Sequence, residues 1–161
     1  MLTIETVLPG APTAVSILRR YTTEVASRWY GRPATDEEVD QALRDEPSDD
    51  LTGATGVLLV ALDDGEPVAC AGARLRGDVA ELTKVFTLSE SRGRGIGGRV
   101  VRAVERACLE RGVGTVQLDT RGELAEACAL YERLGYRRVD PFNDEPYSDR
   151  WYRKSLSGTS T

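Results

Sequence analysis

The segment Arg92-Gly93-Arg94-Gly95-Ile96-Gly97-Gly98 places four glycines and two arginines where a strand gives way to a helix. A turn of this kind binds phosphate oxygens for physical reasons. Glycine lets the main chain approach a ligand with no Cβ in the way. The first turn of the following helix carries unpaired N–H groups at the positive end of its dipole. Together these groups form an anion cradle. Arg92 and Arg94 add positive charge at its mouth. So many glycines opening a helix would otherwise weaken it.

Two kinds of phosphate turn fit part of this pattern. Gly93-x-Gly95-x-x-Gly98 matches the dinucleotide fingerprint G-x-G-x-x-G, and Asp119 lies about where that fingerprint wants an acidic residue. A dinucleotide fold, however, places the motif in an early strand–helix–strand unit of a parallel sheet. Here some 90 residues come first, antiparallel hairpins among them, and too little chain follows. The pattern G-x-x-x-x-G-K-[ST] does not occur, which excludes a P-loop.

The second kind fits better. The run AELTKVFTLSESRGRGIG, residues 80–97, resembles the acyl-CoA-binding core of the GNAT N-acetyltransferase superfamily. Its signature [Q/R]-x-x-G-x-[G/A] is met by Arg92, Gly95 and Gly97. The run ACALYERLGY, residues 127–136, resembles the family's second hallmark, a helix ending in L-Y-x-x-x-G-[F/Y]. The two hallmarks come in the right order, separated by a helix and a strand. The resemblance covers roughly residues 56–154, and the N-terminal third matches only in element order.

The resemblance implies acetyl-CoA as co-substrate and direct transfer of its acetyl group to a primary amine. The acceptor would be a small molecule, or alternatively a protein amine. Arg92, Gly93, Arg94, Gly95, Ile96, Gly97 and Gly98 would hold the coenzyme pyrophosphate. Val85, Phe86 and Thr87 would offer main-chain groups to the pantetheine and the acyl carbonyl, where such amides also stabilise an oxyanion. Tyr131 would protonate the leaving thiolate, since a weak acid near sulfur suits that step. Glu81 would take the ammonium proton through water, with Asp119 as the second candidate for the base. Leu124 stands where many members carry an asparagine that contacts the coenzyme. Two other readings remain: a non-catalytic acyl-CoA-binding regulatory module on the same fold, and a nucleotide-dependent oxidoreductase on the G-x-G-x-x-G match.

The elements that must position these residues follow from pattern. Residues 2–8 alternate and end at Pro9-Gly10, a strand. From Thr13 the spacing of Val15, Ile17, Leu18, Tyr21, Val25 and Trp29 marks an apolar helix face, stopped at Gly31. Thr35, with Glu38 three residues on, opens a short helix ending near Asp45. Residues 56–62, 67–76 and 79–88 form an antiparallel meander turning at Asp64-Gly65 and Gly77-Asp78. A helix over 95–111 has Val100, Val101, Val104 and Cys108 inside. Then come a strand over 116–120, a helix over 123–134 closed by Gly135, and strands at 136–139 and 150–154. This predicts a single α/β (α+β) domain over residues 1–155 with a mixed, mostly antiparallel sheet. Residues 156–161 read as a polar tail.

Composition narrows the partners. The chain of 161 residues carries a net charge of −5 and no histidine. An acidic total argues against nucleic-acid binding. Eight acidic side chains between Asp36 and Asp50 suggest a solvated face or a rim that attracts a cationic acceptor. The acceptor pocket would draw on Tyr21, Trp29, Tyr30 and the loop 141–147. Three isolated cysteines and no histidine leave no metal site to expect and no Ser-His-Asp or Cys-His centre. No stretch is long and apolar enough for a membrane span, and the N-terminus lacks a signal-peptide pattern. A cytoplasmic monomer or homodimer is expected.

Overall fold

Hairpin chemistry organises the centre of the molecule. In the computed structural model, which describes residues 1–156, β1 (Leu2–Thr6) is followed after α1 (Pro12–Tyr30) and α2 (Asp36–Asp45) by β2 (Gly56–Asp63), β3 (Glu66–Arg76) and β4 (Val79–Thr87). Asp64 and Gly65 turn β2 into β3 with φ of 51° and 86°, the two positive values a type I′ hairpin requires. Then come α3 (Ile96–Glu110), β5 (Thr115–Thr120), α4 (Ala125–Arg133), β6 (Arg137–Val139) and β7 (Arg150–Ser155). One seven-stranded sheet results, in the order β1-β2-β3-β4-β5-β7-β6. Among the described residues only the β4–β5 pair is parallel. This is the expected single α/β domain with a mostly antiparallel sheet.

Helices cover both faces of the sheet centre. Residues Ala69 to Ala73 of β3 are all buried, and their small side chains let helices approach from either side. On α3 the expected inner face holds: Val100, Val101, Val104 and Cys108 are each at most 1% exposed. On α1 the expected face needs correction. Val15 and Trp29 are about half exposed, and the buried stripe is Ala14, Ile17, Leu18, Thr22 and Ala26. Ile17 and Leu18 are as expected, and the rest of the contact is made by the small side chains of Ala14, Thr22 and Ala26.

The start of α2 forms as its sequence demands. Thr35 accepts from the Glu38 N–H at 3.1 Å, and Glu38 Oε1 accepts from the Thr35 N–H at 2.9 Å. Arg32 grips the same carboxylate at 2.8 and 2.9 Å. The Arg32 guanidinium first, and the Thr35 N–H next, hold the Glu38 pKa down at about 2. A depressed carboxyl pKa stabilises the fold above its unfolded value and loses that contribution as pH falls through the folded one. Thr35→Ala is expected to cost about 1 kcal/mol. Thermal unfolding at neutral pH should show it as a Tm lower by about 2–4 °C.

Leu156, the first residue of the expected tail, is buried, and its N–H donates to Gly114 O at 2.8 Å. The rest of that tail lies outside the described residues. Among the described residues no helix is long and apolar enough to cross a membrane. Cys70, Cys108 and Cys128 are free and buried. Burial pushes the Cys70 thiol up to about 12 and the Cys108 thiol up to about 11. A thiolate is the reactive form, so Cys70 and Cys108 should give almost no reaction with a disulfide reagent in native protein at pH 8, and the burial of Cys128 should slow its reaction. Denaturant should release all three thiols.

Candidate active site

The glycine-rich turn leaves the start of α3 open. Gly93 and Gly95 have φ of 81° and 75°, a region that side-chain-bearing residues rarely enter. Gly95 is the N-cap residue, no side chain caps the helix, and no acidic residue lies in its first turn. The N–H groups of Ile96, Gly97 and Gly98 are therefore left to an external acceptor. A Cβ on Gly97 would stand 3.2 Å from Thr87 Oγ1 and 3.4 Å from Leu130 Cδ2, so glycine there lets α3 close on β4 and α4. These residues fit an anionic group such as a pyrophosphate.

Both arginines of the turn carry ion pairs. Arg92 Nη2 contacts Glu24 Oε2 of α1 at 2.7 Å, and its Nε donates to Thr87 O at 3.0 Å. Arg94 Nη1 reaches Asp63 Oδ2 at 3.2 Å. Arg92 thus ties α1 to the end of β4.

The parallel pairing of β4 with β5 is short. It runs from Val79↔Thr115 to Glu81↔Gln117 and stops. Beyond it, the β5-facing edge of β4 has no strand partner among the described residues, and this stretch holds Val85, Phe86 and Thr87. On the β3 side the register shifts between Cys70↔Phe86 and Gly72↔Thr83. A β-bulge at Lys84 and Val85 accounts for the shift. Lys84 has φ of 57° and its side chain is buried. Its Nζ donates to Glu46 O at 3.1 Å and lies 5.6 Å from the Tyr21 ring centre. Burial, above all, lowers the Lys84 pKa.

Faces follow from the pairing, since directly opposed residues share a face. Glu81 is opposite Arg74, and Arg74 reaches Asp50 and Pro47 in the connection after α2. Phe86 meets Tyr21 of α1 edge-on at 5.8 Å. Thr87, its neighbour, points instead to Gly97 of α3.

Tyr131 lies on α4, buried, with ring centres 6.0 Å from both Tyr136 and Tyr152. Burial, first of all, pushes its hydroxyl pKa far above the ordinary tyrosine value, and nearby Tyr21, Cys128 and Asp119 push the same way. The group keeps its proton across the neutral range.

Glu81 occupies the last rung before β4 and β5 part. It lines a cleft of about 540 Å³ with Arg76, Gln117 and residues 142–146. Its closest cation is Arg76, at 3.5 Å. Glu145, across the cleft, has its pKa raised by burial and then by Asp119, Glu46 and Glu81. Glu145 therefore feels three other carboxylates near this opening. Half of the eight acidic residues from Asp36 to Asp50 are used elsewhere: Asp36 and Asp40 pair with Arg19, Glu38 with Arg32 and Asp50 with Arg74.

Of the aromatic residues expected in the pocket, Tyr21 packs on Phe86 and Lys84 and does not line this cleft. Trp29 packs edge-on against Tyr147 at 4.9 Å, with the Arg121 guanidinium 5.2 Å from its ring centre. Tyr30 sits against Arg32 at 4.7 Å. Three features lie beyond what the sequence pattern predicts: the Glu24–Arg92 pair, buried Lys84, and the bonds that Asp119 makes to the loop after β6. A lysine that alternates with the buried apolar residues Ala80, Leu82 and Phe86 of β4 is the one local signal among them. Among the described residues the structure records no hydrogen bond between Tyr131 and Glu81.

The description "Acetyltransferase (GNAT) family" fits residues 19–136 of the chain. An uncharacterized N-acetyltransferase of Schizosaccharomyces pombe is 26% identical over 128 residues, 78% of each chain. Among solved structures, a GNAT-family acetyltransferase from Staphylococcus aureus superposes with a TM-score of 0.77 at 18% identity, covering 97% of this chain and 99% of that one. The PaiA N-acetyltransferase of Thermoplasma acidophilum, solved with coenzyme A, superposes with a TM-score of 0.76 at 15% identity, covering 96% and 99%. The two solved structures agree with the fold, and the family match spans most of the sheet and the glycine-rich turn: the chain belongs to the GNAT acetyltransferase family.

Proposed function

We propose that this protein transfers the acetyl group of acetyl-CoA directly to a primary amine of a small molecule. One observation carries the reading. β4 and β5 part just past Glu81↔Gln117, and the opening lies between the uncapped start of α3 and the acidic cleft. Acetyl-CoA supplies the activated acyl group. The main chain of residues 92–98 holds its pyrophosphate, and Val85, Phe86 and Thr87 offer main-chain groups on the β5-facing edge to the acyl arm, apart from Thr87 O, which accepts from Arg92. Glu81, with carboxylates around it, attracts the ammonium and takes its proton through water. Tyr131 holds the proton that a departing sulfur needs. The unit that does this spans residues 1–155.

The test is coenzyme A release from acetyl-CoA with spermidine, L-lysine, tyramine and a short peptide with a free amino end. Turnover with at least one amine is expected. Tight binding of acetyl-CoA without turnover on any of them would overturn the reading in favour of a binding module.

A further inference from the structure

Asp119 stands on β5 two residues beyond the last rung shared with β4. Both of its carboxylate oxygens are engaged by the loop between β6 and β7. Oδ1 accepts from Ser148 Oγ at 2.6 Å, and Oδ2 accepts from Asn143 Nδ2 at 3.0 Å. Asn143 in turn accepts, through Oδ1, from Trp151 Nε1 at 2.9 Å and from the Glu145 N–H at 3.2 Å. A second tie lies beside the first. The Asp149 N–H donates to Thr120 O at 3.0 Å, and Asp149 Oδ1 accepts from the Gly122 N–H at 2.7 Å.

This loop is the outer wall of the cleft. Phe142 to Pro146 line it opposite Glu81, Gln117 and Arg76. Ten residues separate β6 from β7, and a free chain of that length would not hold a wall in place without bonds. Asn143 converts a bond to Asp119 into an orientation for the Glu145 backbone, so the position of the wall is set from β5. Both carboxylate oxygens of Asp119 are thus committed to holding the loop.

We infer that Asp119 is a positioning residue, a latch that holds the acceptor-side wall of the cleft, and not the base of the reaction. The inference rests on reading this cleft as the acceptor site. Asp119→Asn keeps one acceptor oxygen and loses the other. With acetyl-CoA and the best substrate among spermidine, L-lysine, tyramine and the peptide, the acceptor KM should rise about ten-fold, as expected for a lost bond to a charged group. The kcat, the KM for acetyl-CoA and the pH profile should stay within about two- to three-fold of wild type, since the chemistry is untouched. Asn143→Ala, which attacks the latch from the loop side, should reproduce the same split, and the double variant should be little worse than either single one.

A loss of kcat of about 100-fold or more in Asp119→Asn, with the acidic limb of the pH profile abolished and Asn143→Ala unaffected, would overturn the latch and make Asp119 the base. Amide hydrogen exchange over residues 142–148 gives a readout independent of turnover. Faster exchange in both variants is expected, and unchanged exchange in both would overturn the inference even if no amine were a substrate.

Discussion

Replacing Tyr131 with phenylalanine is expected to lower kcat by about 10²–10⁴-fold, the usual worth of a positioned general acid, while acetyl-CoA affinity and Tm stay near wild type. The change removes one oxygen. The ring contacts with Tyr136 and Tyr152 survive it, and no hydrogen bond from this hydroxyl to another side chain is recorded among the described residues, so little stability is lost. The raised pKa of Tyr131 keeps the hydroxyl protonated throughout the working range. In the proposed reaction it would then give a proton, not accept one. Steady-state kinetics with calorimetry on the same preparation decides the matter. An unchanged kcat would remove Tyr131 from the chemistry, and a parallel fall in coenzyme affinity would make it a binding residue.

The second large effect is expected at Gly95, where charge is the variable. A Cβ there would meet nothing within 4 Å, although the backbone is left-handed at φ of 75°. Aspartate and asparagine tolerate that conformation better than other side-chain-bearing residues. Gly95→Asp puts a carboxylate at the open N–H groups of α3 and repels a pyrophosphate. Lost dipole attraction plus repulsion is worth about 3 kcal/mol, which weakens coenzyme A binding on the order of 100-fold. Gly95→Asn has the same shape without the charge and should lose about ten-fold or less. Calorimetric titration with coenzyme A reads both variants. Equal losses would mean that shape, and not an anion site, explains the glycine.

Local chemistry makes much of this fold legible in the sequence. Thr35 and Glu38 announce a capping box, Asp64-Gly65 a tight hairpin, and Gly93 to Gly98 an open helix start; each depends on residues within a few positions of one another. The α1 face resists the same treatment because periodicity weighs Val15 and Trp29 by hydrophobicity, whereas the packed surface is chosen by the small residues of β3 beneath it. In sequence, Asp119 resembles a possible base because its partners, Asn143 and Ser148, lie 24 and 29 positions away. The ion pairs of Arg92 and Arg94 span 68 and 31 positions, beyond the reach of any local pattern. Distant partners decide whether a charged side chain is available for chemistry, and they come only with the fold.

The bulge at Lys84 has a consequence for insertions and deletions. Glu81 and Thr87 are both odd-numbered, and in an uninterrupted strand their side chains would share a face. The extra residue breaks that parity, so Glu81 faces the α1–α2 layer while Thr87 faces α3. One added residue thus assigns the side chains of Glu81 and Thr87 to opposite sides of the sheet; on the proposed function this would give donor and acceptor separate ways in. Deleting Lys84 would not merely shorten the strand; it would invert every position after it, turning Phe86 away from Tyr21 and Thr87 away from the glycine-rich turn. In this strand, length is a form of address.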